Sequence, residues 1–250
     1  MTPSSAKRNR HVVIFVGLMT ASLVALPLLP RIPQDQGYHQ FADQRTLLGV
    51  PNFWNVISNV PFIAIGAIGL RQFHRDPAII MLFLGILLTG FGSSYYHLDP
   101  SDRTLFWDRP PMAIGFMAIL AITVEERVNV RAGAVLLWPL AAIGVLSLLL
   151  WRWTGDLRLY VWVQFFPCLA LPLIFLAFPP KYSGPFYWLI AAALYALAKL
   201  FEFYDGAIYS AGAILSGHTL KHLAAAAACV AILRYFQKRR PIAAPDAASR

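Results

Sequence analysis

The apolar residues of this chain fall in long runs. Eight can be marked, at about 12–30, 53–70, 78–97, 111–125, 133–151, 159–178, 184–204 and 213–236. Most approach the roughly 20 apolar residues a helix needs to cross a hydrocarbon core of about 30 Å. A membrane β-barrel would show ten-residue segments of alternating polarity, and these runs do not alternate. The breaks hold the Pro, Gly and charged residues: Pro30 to Pro51, Arg71 to Pro77, Asp99 to Pro111, Glu125 to Arg131, Arg152 to Arg158 and Pro179 to Pro185. The pattern predicts an all-α polytopic membrane protein with eight spans. Neither a 20–50-residue repeat nor a separate soluble domain is visible. The Ala/Pro-rich stretch after Arg240 reads as a disordered tail.

Composition agrees. The chain is 58% hydrophobic and 13% charged, against about 25% charged in a soluble domain. That leaves too little charge to cover a water-facing surface, which argues against an ordinary cytosolic enzyme. The net charge of +9 could suggest nucleic acid, but no folded water-soluble face carries it. It reads instead as a topology signal. With the N-terminus inside, the inside collects Lys7, Arg8, Arg10, Arg71, Arg75, Arg127, Arg131, Lys181, Arg234, Lys238, Arg239, Arg240 and Arg250. The outside collects Arg31, Arg45, Arg103, Arg109, Arg152 and Arg158. Both termini are therefore expected in the cytoplasm. The first apolar run is longer than a secretory h-region and lacks a small-x-small cleavage site, so it is expected to stay as a helix. Cys168 and Cys229 sit in apolar runs and read as packing residues.

Ionisable groups inside a bilayer are costly and mark candidate functional positions. In the expected topology they converge on the outer side. Span three ends in Ser93-Ser94-Tyr95-Tyr96-His97, and Asp108 falls in the outer loop before span four. Span seven ends in Lys199, Glu202 and Asp205, and span eight begins with His218 and His222. His218-x3-His222 places two imidazoles on one helix face, a spacing that lets both reach one metal at about 2.0–2.1 Å. Two histidines hydrogen-bonded at a helix end would look the same. If spans three and eight are neighbours, His97 supplies a third nitrogen. Three ligands plus water is the open coordination of a catalytic zinc. Asp108 could then act as general base and acid, and Ser93 could bind an oxyanion. Taken singly, Ser93 could equally be a packing serine. Asp108 could be a helix N-cap, with Pro110 and Pro111 opening the helix.

These motifs resemble a known family. Gly92-Ser93-x3-His97 reads as G-S-x3-H. Trp107-Asp108-Arg109-Pro110-Pro111-Met112 resembles L-D-E-x-P-M. Phe53-Trp54-Asn55-Val56-Ile57-Ser58-Asn59 resembles F-W-N-x-x-S-N, and His218-x3-His222 closes the set. Together, over roughly residues 38–237, the chain resembles the alkaline ceramidases, whose superfamily also holds adiponectin receptors and GPI-remodelling lipid hydrolases. The resemblance implies a seven-helix bundle over residues 35–237. Residues 1–34 would hold a cytoplasmic tail and an extra transmembrane helix, and 238–250 a cytoplasmic tail. It implies zinc on His97, His218 and His222, with Ser93 and Asp108 as the catalytic pair. It also implies hydrolysis of the amide of ceramide or a related N-acyl lipid. Arg109 stands where the family has an acidic residue. The acidic cluster of calcium-binding members is reduced to Asp43, with Asn52 in place of a glutamate, so calcium is not expected.

Asp43, Asn55, Asn59, Lys199, Glu202 and Asp205 are the remaining candidates for second-sphere or substrate contacts. For Asn55, Ser58 and Asn59 the alternative is hydrogen bonding between helices; for Lys199 and Glu202 it is a mutual ion pair. The segment Tyr38–Arg45 could cap the metal chamber or simply pack on the bundle. Lys221 is expected to point away from the two histidines that flank it, and His39 and His74 to lie in loops. The expected partner is a membrane lipid, not nucleic acid, and the sequence names no protein partner. Rival readings are a non-catalytic metal-containing lipid receptor and a haem-binding redox protein. A transporter is a weaker rival, because no inverted repeat or broken helix is evident.

Overall fold

The computed structural model describes residues 3–212 and 214–242. Ten α-helices account for most of them: α1 Pro3–Ala25, α2 Phe53–Ile57, α3 Val60–Gln72, α4 Pro77–Leu98, α5 Asp102–Arg127, α6 Val130–Thr154, α7 Arg158–Ala177, α8 Phe186–Phe203, α9 Asp205–Gly212 and α10 Gly217–Lys238. No β-strand forms among the described residues. Eight helical segments are long and apolar enough to cross a membrane, and they match the eight runs in the sequence. The protein is an all-α polytopic membrane protein. Residues 243–250, where most of the expected disordered tail falls, lie outside the described residues. The chain just before them is anchored: Ser183 donates to the Arg240 carbonyl (2.9 Å) and Ile242 to that of Lys181 (2.9 Å).

α5 is the central rod, packed by α4, α6 and α7. α10 packs on α8 and α3. α4 and α10 meet through side chains, the Phe83 ring lying 6.0 Å from that of Phe236. The span containing α5 is 61% buried, whereas that of α1 is 0% buried, so α1 lies outside the bundle. It rests on α7 through Phe15 and Phe166 (6.2 Å) and through the Trp162 Nε1–H, which donates to Ser22 Oγ (2.9 Å). Arg158 Nη1 fastens its end by donating to the carbonyls of Leu26 (3.0 Å), Pro27 (3.1 Å) and Leu29 (2.6 Å). Large apolar side chains such as Leu169, Leu176 and Leu189 face outward, as a lipid solvent allows.

Two local expectations need correction. First, α5 begins nine residues before the predicted start of span four. Ser101 and Thr104 form a capping box there, a strong start signal. Pro110 and Pro111 lie inside the helix and do not open it, so Asp108 is neither a loop residue nor an N-cap. Pro111 has no N–H for the Trp107 carbonyl. That oxygen lies against Gly92 of α4, where a Cβ would meet it at 2.4 Å. Second, span two is broken. α2 ends at Ile57, and α3 restarts at Val60 with Pro61 in its first turn. Pro61 cannot donate to the Ile57 carbonyl, and the break leaves Ser58 and Asn59 buried.

The close approach at Gly92 gives a test. Gly92→Ala should lower thermal stability in detergent by about 1–3 kcal/mol of overpacking, more than the roughly 1 kcal/mol gained in helix propensity. Gly115→Ala, whose Cβ would meet nothing within 4 Å, should be neutral or stabilising. Equal melting temperatures for the two variants would contradict the packing described.

Candidate metal centre

α10 starts where Ser216 Oγ accepts from Thr219 N–H (3.2 Å) and Asp205 Oδ1 accepts from His218 N–H (2.7 Å). This start puts His218 and His222 one turn apart at one end of the bundle. His97 occupies the last turn of α4. The three rings form a triangle with centroids 4.9 Å apart on every side. One ligand atom from each lies within 4.8 Å of the other two. All three histidines are buried, His97 at 1% exposure and the others at 5%. The centroid spacing leaves no room for a porphyrin between these rings, which argues against a haem held by two of them.

Hydrogen bonding fixes how two of the rings present themselves. Ser58 Oγ donates to the Asn55 carbonyl (3.1 Å) and so accepts from His222 Nδ1–H (2.8 Å). That leaves the His222 Nε2 lone pair free, the usual arrangement of a metal-ligating histidine. The Lys221 ammonium, which can only donate, lies 3.0 Å from His218 Nε2. Lys221 therefore does not point away from the histidines as expected. Its i, i+3 position bends it back onto His218. His97 Nδ1 is buried without a hydrogen-bond partner. Three buried imidazoles within reach of one another, one with a free lone pair and one with an orphaned nitrogen, fit a metal of the imidazole-binding class; His218 would join as a ligand through Nε2 only with Lys221 turned away from it.

Beside the triangle lie Ser93, one turn before His97 on α4, and Asp108 on α5. They are 4% and 6% exposed. Ser93 interacts with the Asp108 carboxylate, and the charges of Lys221, Arg109 and Glu202 also reach it. Asp108 Oδ1 is buried without a partner. Ser93 and Asp108 are thus brought together.

Residues 36–45 close over this end. The Phe41 ring sits 4.6 Å from His97 and 4.4 Å from His218. His39 joins the Tyr96 hydroxyl (2.9 Å) to Asp102 (2.9 Å), from a short 3-10 turn instead of an open loop. The Tyr38 hydroxyl donates to Glu202 Oε1 (3.4 Å), and Ala42 N–H to Asp205 Oδ2 (3.0 Å). Asp43 is committed to Arg45, with contacts of 2.8 and 2.7 Å. Burial alone would raise its carboxyl, but hydrogen bonds from Arg45 hold it below the ordinary carboxylate value.

Of the other candidates, Asn55 Oδ1 accepts from Thr219 (2.8 Å) and ties the α2–α3 break to α10. Asn59 donates to the Asn55 carbonyl (2.8 Å). Lys199 and Glu202 form the ion pair offered as their alternative, and Lys221 joins it at 3.2 Å. Asp205 spends its carboxylate on two backbone N–H groups. Sequence reasoning missed Ser58 as the partner of His222, Phe41 as the cover and Lys221 as a neighbour of His218. Only the i, i+3 spacing of Lys221 offered a signal.

The bundle thus carries a buried imidazole triangle, a hydroxyl and a carboxylate together at one end. A family model, Ceramidase, matches residues 48–178, more than half of the chain, and the chain belongs to that family. The match includes Ser93, His97 and Asp108, while His218 and His222 lie beyond it. No curated protein matches the chain.

Replacing Ser58 tests the centre. Ser58→Ala should weaken metal binding by about 10–100-fold through loss of the His222 orienting bond. Chelator competition measures this, and an unchanged affinity would mean that His222 is not held for a metal.

Proposed function

We propose that this chain is a zinc-dependent intramembrane hydrolase that cleaves the amide of ceramide or a related N-acyl lipid. Membership of the Ceramidase family supports the lipid amide. The observation that carries the zinc is the triangle of buried imidazoles beside a Ser–Asp pair. His97, His218 and His222 would hold the ion. A zinc ion there would supply Lewis acidity, enough to bring the pKa of water to about 7 and to polarise a carbonyl.

The chain's own groups do the rest. Asp108 takes a proton from the attacking water and returns it to the leaving amine nitrogen as the C–N bond breaks. Ser93 donates to the oxygen that gains charge. Phe41 keeps bulk water from the histidines. α8 packs on α10 and is only 17% buried over its span, with Leu189, Ile190 and Leu197 exposed. Its free flank is where an acyl chain would enter from the bilayer. The positive-inside bias supports a site facing away from the cytoplasm.

The reading is tested with purified, zinc-loaded protein and ceramide in mixed micelles, following release of the sphingoid base. Chelation or His218→Ala should abolish turnover. Asp108→Asn should lower kcat by about 10²–10⁴-fold. Turnover that survives both zinc removal and His218→Ala would overturn the mechanism. Metal binding with no turnover on any N-acyl lipid would favour the receptor reading.

A further inference from the structure

Arg109 is buried at 6% exposure, yet it forms no ion pair among the described residues. Its Nη2 donates to Gln34 Oε1 (2.7 Å). Its guanidinium lies over the rings of Trp151 (4.6 Å), Tyr160 (4.8 Å) and Tyr38 (5.7 Å). Nη1 is buried with no partner at all. A buried guanidinium carries a large desolvation cost unless it is paired. Aromatic faces offset part of that cost but leave the free N–H unmet.

Arg109 is not isolated from the candidate centre. Tyr38 spans the gap, with its ring near Arg109 and its hydroxyl on Glu202. Glu202 is in turn held by Lys199 and Lys221, and Lys221 touches His218. The carboxylates of Glu202, Asp108, Asp205 and Asp102 also lie at this end, yet none of them reaches Arg109 Nη1, which is left without an acceptor. A carboxylate or phosphate suits a guanidinium, whose planar fork of donors fits such anions.

We propose that Arg109 selects the headgroup, and that the preferred ligand is an N-acyl lipid with a carboxylate or phosphate close to its amide. For turnover this rests on the hydrolase reading above; for binding it does not. The test uses pairs of probes with one acyl chain and one change of charge. N-palmitoyl-ethanolamine is set against its O-phosphate, and N-palmitoyl-glycine against its methyl ester. Affinity is read from tryptophan fluorescence in neutral detergent, and kcat/KM from amine release.

The anionic member of at least one pair should be favoured about tenfold or more, and which pair responds distinguishes phosphate from carboxylate. Arg109→Gln should collapse the ratio and Arg109→Lys should keep part of it. Arg152→Gln, a surface change, should leave the ratio unaltered. Selective binding without turnover would support this inference and sink the hydrolase reading. Turnover with equal preference within both pairs would do the reverse. The inference is also overturned if Arg109→Gln weakens neutral and anionic members by the same factor, because that is the signature of a merely structural arginine.

Discussion

Inside a bundle solvated by lipid, a polar group that finds no partner in the chain finds none at all. At one end of this protein that constraint organises the structure around three imidazoles. His222 is satisfied by Ser58, and Ser58 by the Asn55 carbonyl. Asn55 is satisfied by Thr219 on the helix that carries His222. The loop of contacts closes on itself, so the break between α2 and α3 and the first turns of α10 hold each other in place. What remains unmet is correspondingly informative. Of the five buried side-chain atoms without a hydrogen-bond partner among the described residues, Glu126 Oε1 meets Arg239 and Asn59 Oδ1 lies at the α2–α3 break, while His97 Nδ1, Asp108 Oδ1 and Arg109 Nη1 lie at this end. Buried polar atoms are seldom left unpaired, so three of them within one neighbourhood point to a ligand-binding region more than to imperfect packing.

The register of α4 against α5 is the second determinant. Gly92 lies on the Trp107 carbonyl, and a Cβ at Gly85 would meet the Pro111 carbonyl at 2.8 Å. Pro111 frees the Trp107 carbonyl, and Gly92 lets the α4 backbone reach it; Gly85 allows an equally close approach to the Pro111 carbonyl. Small residues at such interfaces bring membrane helices together closely. Ser93 follows Gly92, and Asp108 follows Trp107. The contact that sets the helix spacing therefore also sets the distance between the hydroxyl and the carboxylate.

The spans were legible because lipid demands long apolar runs, and that signal survives any tertiary detail. The His218-x3-His222 pair was legible because helical spacing puts both rings on one face. His97 and Ser93 followed from the same rule on α4. The start of α5 was not, because adjacent prolines ordinarily open helices. The Ser101–Thr104 box was the competing signal, and it prevailed. Lys221 was misplaced because spacing alone does not say where a long, flexible side chain carries its ammonium. Phe41, His39 and Arg109 depend on a segment without periodicity folding across four helices, and no local pattern encodes that.

That segment also gives the outlying first helix a structural meaning. α1 buries almost nothing, yet Arg158 grips three of the carbonyls at its end. From there the chain passes Gln34 to Arg109, Gln36 and His39 to Asp102, Tyr38 to Glu202, and Ala42 to Asp205. It then enters α2, where Asn55 holds the Asp43 carbonyl (3.3 Å). The cover over the histidines is thus fastened at one end to a lipid-exposed helix and at the other to the helix break that orients His222. Its only large buried side chain is Phe41, so little apolar burial keeps it shut. Closure rests on polar contacts at α4, α5, α8 and α9, beside the imidazoles of α4 and α10. Anything that rearranges the charges among them acts on the cover as well, so access to the centre and recognition at its rim share one set of contacts.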